Sequence, residues 1–593
     1  MKRKRIAFLS LLFVVVAILS ACCAEEETAM KITLDRAAYQ PGSQAVCAVE
    51  NLPSDTAGLR FRLLHLDDTV LEDTADPGRG SFSFFLPEDD FTGYLLTAES
   101  LDSGGRILET AMTGIDCSST WTKFPRYGYL WDYRKITNTA KKIDELTRYH
   151  INGLQFYDWQ YRHHIPVPPD TEQWQDWSGR IIYGNKIRDY LDEAHQKGMV
   201  CLAYNMIYAA NKTYLTDGSG VDASWRLVKN NGQDFTVDMD ARLGPVGVLQ
   251  YFNPLNPDWQ KYIFAREEEV FTAFAFDGWH GDTIGEMGKM KTADGGPLGY
   301  DENGKPITLV KDTYTQFLNA AKEAIGDRHL VFNPVGAQGI ENVNVSSADV
   351  LYTEFWPWDN DDRGLPYADY YSIHRAILRA NEQSGGKSLV VAAYVNYKGP
   401  ASKFNAPAVR LMDSMVFASG GARIELGNGS NMLSDEYFPN DGHKKIDDAL
   451  RKDVERMYDF IVAYENLLRD GQKPADRTVR IGDVPVSDNG RYDTVWYFAR
   501  TDEKHEIYHF INLTGTDSDW RDTAQTKQAP AYLENLKVKI YTGFPVKEVC
   551  LASPDTADLT VRTLPFETGS DAEGAYLAFT LPALAYWDMV FLR

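Results

Sequence analysis

Cysteine is scarce in this chain, with six in 593 residues, two of them adjacent at Cys22 and Cys23. The other four, Cys47, Cys117, Cys201 and Cys550, fall at spacings that match no metal-ligand pattern, so neither a zinc-built fold nor a catalytic metal is expected. Cys47 and Cys117 either pair within one N-terminal domain, as an oxidising compartment would allow, or stay as buried thiols. Basic charge is also in short supply. Lys and Arg number 61 against 84 Asp and Glu, a formal net charge of −23, which argues against nucleic acid or anionic membrane surfaces as partners. After residue 20 no hydrophobic run is long enough to span a bilayer, and no biased segment points to disorder.

What is present begins at the N-terminus. Lys2, Arg3, Lys4 and Arg5 form a basic region, Ile6 to Leu19 an apolar one, and Leu19-Ser20-Ala21-Cys22 places small residues before a cysteine. That is the layout of a secretory signal, and it resembles a bacterial lipobox. Residues 1–22 are therefore expected to be a lipoprotein signal peptide with Cys22 as the lipidated residue, the plain alternative being cleavage near Ala21 without lipid. Residues 23–29 read as a solvated tether. The expected location is the bacterial cell surface or membrane, with contact only through an N-terminal lipid anchor, or else free secretion.

A chain of this length exceeds one hydrophobic core, and three segments can be distinguished. Residues 30–119 alternate short apolar stretches with turns, which predicts a β-sandwich of immunoglobulin type. Residues 478–593 read similarly, as a C-terminal antiparallel β domain of Greek-key type. Residues 120–477 alternate strand-like and helical patterns, the mark of a (β/α)8 TIM barrel. Its candidate strands are RYGYLW (126–131), GLQFYDW (153–159), VCLAYNM (200–206), DGWHGDT (277–283), HLVFNPV (329–335), VLYTEFW (350–356), LVVAAYV (389–395) and ARIELG (422–427). A ninth run, GVLQYFNP (247–254), has no helix between it and the third strand, and is assigned to the long loop after that strand.

Barrel enzymes place their chemistry at the C-terminal ends of the strands. Here those ends carry Trp131, Asp158, Asn205, Asp282, Asn333, Glu354, Tyr394 and Glu425. Asp282 and Glu354 end the fourth and sixth strands, so their side chains can face each other across the opening. Two carboxyl groups flanking a sugar linkage are the minimal machinery of glycoside hydrolysis, with a separation of roughly 5–5.5 Å for retention and about 6.5–9.5 Å for inversion. Asp282 lies among His280, Gly281 and Thr283, a polar setting that suits an ionised nucleophile. Glu354 lies among Tyr352, Phe355, Trp356 and Trp358, where desolvation raises a pKa and suits a general acid/base. The alternative is that both acids are solvated or salt-bridged surface groups. The 13 Trp, 33 Tyr and 28 Phe supply faces for neutral polyhydroxylated ligands, although most such residues simply pack.

INGLQFYDWQYRHHIP, FDGWHGDTIGEMG, LYTEFWPW, GARIELG and MLSDEYFP, in this order, resemble glycoside hydrolase family 66, the family of endo-dextranases and cycloisomaltooligosaccharide glucanotransferases. The resemblance runs from about residue 30 to 593. It implies a retaining mechanism on α-1,6-linked glucan (dextran, isomaltooligosaccharides), with the nucleophile at Asp282, the acid/base at Glu354 and no cofactor. Asp158 in FYDW would hydrogen-bond the sugar in the cleaved subsite, or else be a structural acid bonded to Arg162 or His163. Trp131, Tyr157, Trp279, Trp356 and Trp358 are candidate stacking platforms, and His280 is a further candidate. Asn205, Asn333, Tyr394 and Glu425 would bond hydroxyls or merely satisfy groups at the barrel top. The adjacent His163 and His164 diverge along the chain and are not expected to hold a metal. The transferases resemble the dextranases but carry an inserted carbohydrate-binding module in the barrel region. No strand-rich insertion of that size is seen here, which favours hydrolysis. The remaining alternatives are a glucanotransferase and a non-catalytic glucan-binding lipoprotein.

Overall fold

The computed structural model describes residues 29–361, 363–427, 432–434 and 444–593. The signal segment, Cys22, most of the tether and the end of the MLSDEYFP motif lie outside the described residues. No described helix is long and apolar enough to cross a membrane.

At the centre is one eight-stranded parallel sheet, β1 Tyr127–Leu130, β2 Gly153–Phe156, β3 Val200–Met206, β4 Gly278–Asp282, β5 His329–Phe332, β6 Val350–Phe355, β7 Leu389–Ala393 and β8 Ala422–Arg423, each hydrogen-bonded to the next in sequence. The ring is nearly closed: Tyr129 N–H donates to the carbonyl of Leu426, just beyond β8, at 3.0 Å. All eight strands fall within the predicted runs. Apolar sequences such as LVVAA of β7 are buried on both faces, as a parallel sheet covered by helices requires.

The helices follow the strands in turn: α1 Thr139–Thr147, α2 Gly184–Gln196, α3 Pro257–Ala273, α4 Tyr314–Ile325, the short α5 Ile340–Asn344, α6 Tyr370–Gln383, α7 Ala406–Ala418 and α8 Asp448–Ala463. Their starts carry local signals. Asn256 accepts from the N–H groups of Asp258 and Trp259 ahead of Pro257, and Asp369 and Ser372 form a capping box on α6. GVLQYFNP lies outside the barrel, as expected. Val248–Tyr251 pairs with Ala209–Asn211 and Thr236–Asp238 in a small antiparallel sheet between β3 and α3.

Two antiparallel sheets precede the barrel, one of Lys31–Leu34, Gln44–Glu50 and Phe82–Phe85, the other of Asp68–Ala75, Gly58–His65, Thr92–Leu101 and Ile107–Cys117. They enclose a shared core that includes Phe61, Leu96, Ile115, Cys47 and Cys117, and both cysteines are free thiols. Two further, mainly antiparallel sheets follow the barrel and close over Phe510, Val538, Leu551, Phe579 and Val590. Their first strand, Lys473–Ala475, lies ahead of residue 478.

Buried charge joins the segments. Arg126, at the entrance to β1, donates to Asp116 of the N-terminal sheet and to Glu465 beyond α8, and all three are buried. Asp459 of α8 accepts from Thr113 Oγ1 and the Gly114 N–H, again across the boundary.

Candidate active site

Side chains alternate between the two faces of a strand, and in this barrel the alternation decides which residues meet. One face fills the lumen with Tyr127, Tyr129 and Trp131 of β1 and its exit, Leu202 of β3, Val331 of β5, Val350 and Tyr352 of β6, Val390, Ala392 and Tyr394 along β7, and Ala422 and Ile424 around β8. Tyr157 and Trp356 pack against this cluster from above. The other face packs against the helices.

Asp282 and Glu354 lie on the inner face and meet. Asn333 Nδ2 donates to Asp282 Oδ1 at 2.9 Å and to Glu354 Oε2 at 3.0 Å. Each acid has a tyrosine on its other oxygen: Tyr204 donates to Asp282 Oδ2 at 2.7 Å, and Tyr394 donates to Glu354 Oε1. Asp282 and Glu354 are buried, 9% and 7% exposed. Burial raises the pKa of both. It carries Asp282 to about 8, with the Glu354 charge adding to the rise, while the tyrosine and asparagine donors partly counter it in each case. The pair therefore holds a proton near neutral pH.

This revises one expectation. Asp282 is not in a solvated polar setting: the Thr283 hydroxyl donates to the Asn333 carbonyl, and the His280 ring stacks with Tyr127 and Tyr204 below the acids. His280 Nδ1 meets the Tyr127 hydroxyl at 2.9 Å, and burial lowers its pKa to about 3, so the ring is neutral.

Three predicted binding residues face away from the opening. Asn205 follows the inward Tyr204 and points to the helix layer, where it donates to Glu267 of α3 and to the His163 carbonyl. Trp279, between the outward faces of β4 and α4, packs on Phe317 and is fully buried. Glu425 is paired with Arg423 at 2.9 Å and accepts from Tyr458 of α8. In each case the side chain takes the helix-side face, which position along the strand does not by itself decide, and the alternative of a packing or structural role is the one the contacts favour. Tyr204, which touches Asp282, was missed for the same reason.

Asp158 follows Tyr157 with a positive φ of 48°, which breaks the alternation. It is fully buried, and the Trp177 and Gln160 side chains act as donors toward its carboxylate. Its charged neighbour is Arg180, at 3.7 Å, rather than Arg162 or His163. Burial is the main cause of a pKa near 7, which Arg180 lowers. His163 and His164 do diverge: one meets Asn205, the other Asp217. Tyr157 packs on Tyr204 at 4.7 Å, and Trp131 lies in the lumen cluster. Tyr394 stacks face to face on Trp356, and Trp356 on Trp358, at the mouth.

Among the described residues, His195, Cys201 and Asp277 bring ligand-type atoms within 4.8 Å of one another. They lie at the opposite end of the barrel, where Cys201 is near the start of β3 and Asp277 immediately precedes β4. The Asp277 carboxylate already accepts from His195 and from the Cys201 N–H. This group is remote from the acids.

The family model for glycosyl hydrolase family 66 matches residues 34–591. The chain belongs to glycosyl hydrolase family 66. Within that family it is 26% identical to a cycloisomaltooligosaccharide glucanotransferase of Niallia circulans, over 95% of this chain and 71% of the relative. It is also 26% identical to a dextranase of Streptococcus salivarius, over 85% of this chain and 67% of the relative. A crystal structure of a Paenibacillus cycloisomaltooligosaccharide glucanotransferase complexed with cycloisomaltoheptaose superposes with a TM-score of 0.83 at 26% identity. The match covers 95% of this chain and 99% of that one. For a family 66 member, the paired acids at the β4 and β6 ends are the chemically equipped part of the barrel mouth.

Proposed function

We propose that the protein is a retaining endo-dextranase that hydrolyses internal α-1,6 linkages. The observation that carries this reading is the single Asn333 amide reaching both carboxyls. Laid end to end, those two bonds could not separate the oxygens by the roughly 6.5–9.5 Å that an inverting water requires.

The reacting form is the one in which the pair's proton sits on Glu354, a minority form at neutral pH because burial holds the Asp282 carboxyl at about 8. In it Asp282, ionised, attacks the anomeric carbon while Glu354 gives its proton to the departing glycosidic oxygen. The bond to that oxygen breaks as the bond to Asp282 forms. Glu354, now ionised, takes a proton from water, whose oxygen displaces Asp282 and restores the starting configuration. Asn333 and the two tyrosines hold the acids in register. Asp158, fully buried with Arg180 at 3.7 Å and with Trp177 and Gln160 as neighbouring donors, fits the alternative of a structural acid at the barrel top.

A cyclising transferase is the second reading, favoured by the fold likeness to the Paenibacillus enzyme. Against it, the alignment to the Niallia transferase extends over 724 positions, more than the 593 residues here, so the transferase carries segments this chain lacks. A glucan-binding protein without turnover would leave the paired acids without a task.

The three-and-four division of the N-terminal strands supports an immunoglobulin-type sandwich, and the paired C-terminal sheets a Greek-key domain. The sequence before residue 23 supports export and lipidation at Cys22, which labelled-palmitate incorporation lost in Cys22→Ala would test. For the activity, purified protein is incubated with dextran and reducing ends are followed by product chromatography. Linear isomaltooligosaccharides are expected from wild type, and none from Asp282→Asn or Glu354→Gln. Cyclic products would favour the second reading, and equal inactivity of all three would refute both catalytic ones.

A further inference from the structure

Each acid has its own set of aromatic rings, and the two sets differ in where they lead. Beside Asp282 is Tyr204, with Tyr157 packed on it, inside the mouth. Beside Glu354 is Tyr394, and from it a column of near-parallel rings leads outward. Tyr394 stacks on Trp356 at 3.9 Å and 15°, and Trp356 stacks on Trp358 at 5.3 Å and 18°. Tyr397 stands edge-on to the two tryptophans, at 5.5 Å and 87° and at 5.3 Å and 76°. The column ends in solvent, with Trp358 59% exposed.

An exposed tryptophan usually costs order as well as solvation, yet this one sits on a braced turn. The Asp359 carboxylate accepts the Trp356 N–H at 2.7 Å, and the Asp359 N–H returns to the Trp356 carbonyl at 3.1 Å. Arg521, from the C-terminal segment, holds the Pro357 carbonyl at 3.3 Å. A large ring fixed outward at a catalytic mouth presents a flat apolar face to the C–H face of a sugar.

We propose that Tyr394, Trp356 and Trp358 form the leaving-group and acceptor side of the cleft, and that the open face of Trp358 sets how the glycosyl-enzyme divides between water and a sugar acceptor. The direction follows from the chemistry, and it rests on the functional reading above. The oxygen that takes the Glu354 proton belongs to the departing glucan, so rings built outward from Glu354 run along that half of the substrate. After departure the same half-site is empty, and whichever molecule occupies it, sugar or water, meets the deprotonated Glu354. Stacking on Trp358 favours the sugar.

The test compares wild type, Trp358→Ala and Trp358→Phe on dextran and on a 4-nitrophenyl α-isomaltoside, whose small leaving group does not extend to Trp358. Transfer to added isomaltose is followed by chromatography. In Trp358→Ala the ratio of dextran to aryl-isomaltoside kcat/KM should fall about 10-fold, mostly through KM, and the transfer-to-hydrolysis ratio should fall with it. Trp358→Phe should restore much of both. Unchanged ratios in Trp358→Ala, with wild type cleaving dextran normally, would overturn the proposal while leaving the functional reading intact. Wild type silent on both substrates would overturn the functional reading, and the proposal with it.

Discussion

Asp282 and Glu354, 72 positions apart in the chain, are held by the same amide nitrogen, Nδ2 of Asn333, at 2.9 and 3.0 Å. The acids have no other shared partner among the hydrogen bonds described, and their tyrosines approach from opposite sides.

Removing that amide should therefore harm catalysis more than folding. In Asn333→Ala each acid loses a donor to its charged form, an interaction worth about 1.5–3 kcal/mol. A fall in kcat of about 10–100-fold is expected, with little change in the melting temperature. Steady-state kinetics on dextran and a thermal melt check it, and equal loss of both would assign Asn333 a merely structural part.

The tyrosine on Glu354 makes a signed prediction for pH. Its hydrogen bond favours the ionised carboxylate and lowers the pKa that burial has raised. In Tyr394→Phe the Glu354 pKa rises, so the general acid keeps its proton to higher pH. The alkaline limb of kcat/KM should move upward. In Tyr204→Phe the loss falls on Asp282, whose pKa also rises, so the acid limb should move upward instead. Shifts in the opposite direction, or both limbs moving together in both variants, would contradict the pairing of tyrosine with acid.

Sequence alone revealed the barrel, because parallel strands buried on both faces read as apolar runs and the helices between them carry caps and periodicity. It singled out the two acids, which the fold brings to one Asn333 amide, because they stand at strand ends in aromatic and glycine-rich settings. It did not resolve which face each strand-end residue takes. One position separates Tyr204 from Asn205 and Trp279 from His280, and that step decides between lumen and helix layer. Nor did the neighbours in sequence give the electrostatics: Thr283 and His280 flank Asp282, yet the Thr283 hydroxyl and His280 Nδ1 bond elsewhere. The side-chain donors come from β3 and from just beyond the ends of β5 and β7, which adjoin the acids only after folding.

Glu267 offers a stability test away from the mouth. It is fully buried on α3, accepts from Asn205 at 2.8 Å, and has a pKa raised by burial to about 8. Between its ordinary value and about 8 the group is protonated in the fold and ionised in the unfolded chain, so stability falls as pH rises through that window. Glu267→Gln keeps an acceptor for Asn205 and removes the titration. It should stabilise by about 1–3 kcal/mol at pH 8 and have almost no effect at pH 4, measured by chemical denaturation. A pH-independent difference would refute the buried, protonated state.

Arg126 is the converse case, a buried charge satisfied by Asp116 and Glu465. Truncation in Arg126→Ala leaves Asp116 buried without its cation and Glu465 with only Arg469, at 3.8 Å, and should cost about 3–5 kcal/mol. Because the site is far from the acids, kcat per folded molecule should stay near wild type. Denaturant unfolding with activity normalised to folded protein checks both parts, and a loss under 1 kcal/mol would show that the cluster does not hold the segments together.

The most direct test of the paired-acid account is the anomeric configuration of the first product. Dextran is digested with enough enzyme to outrun mutarotation, and new reducing ends are followed by proton NMR. The account predicts that the α-anomer signal appears first and the β-anomer grows later by equilibration. A β-anomer signal appearing first, or no new reducing ends at all, would contradict it.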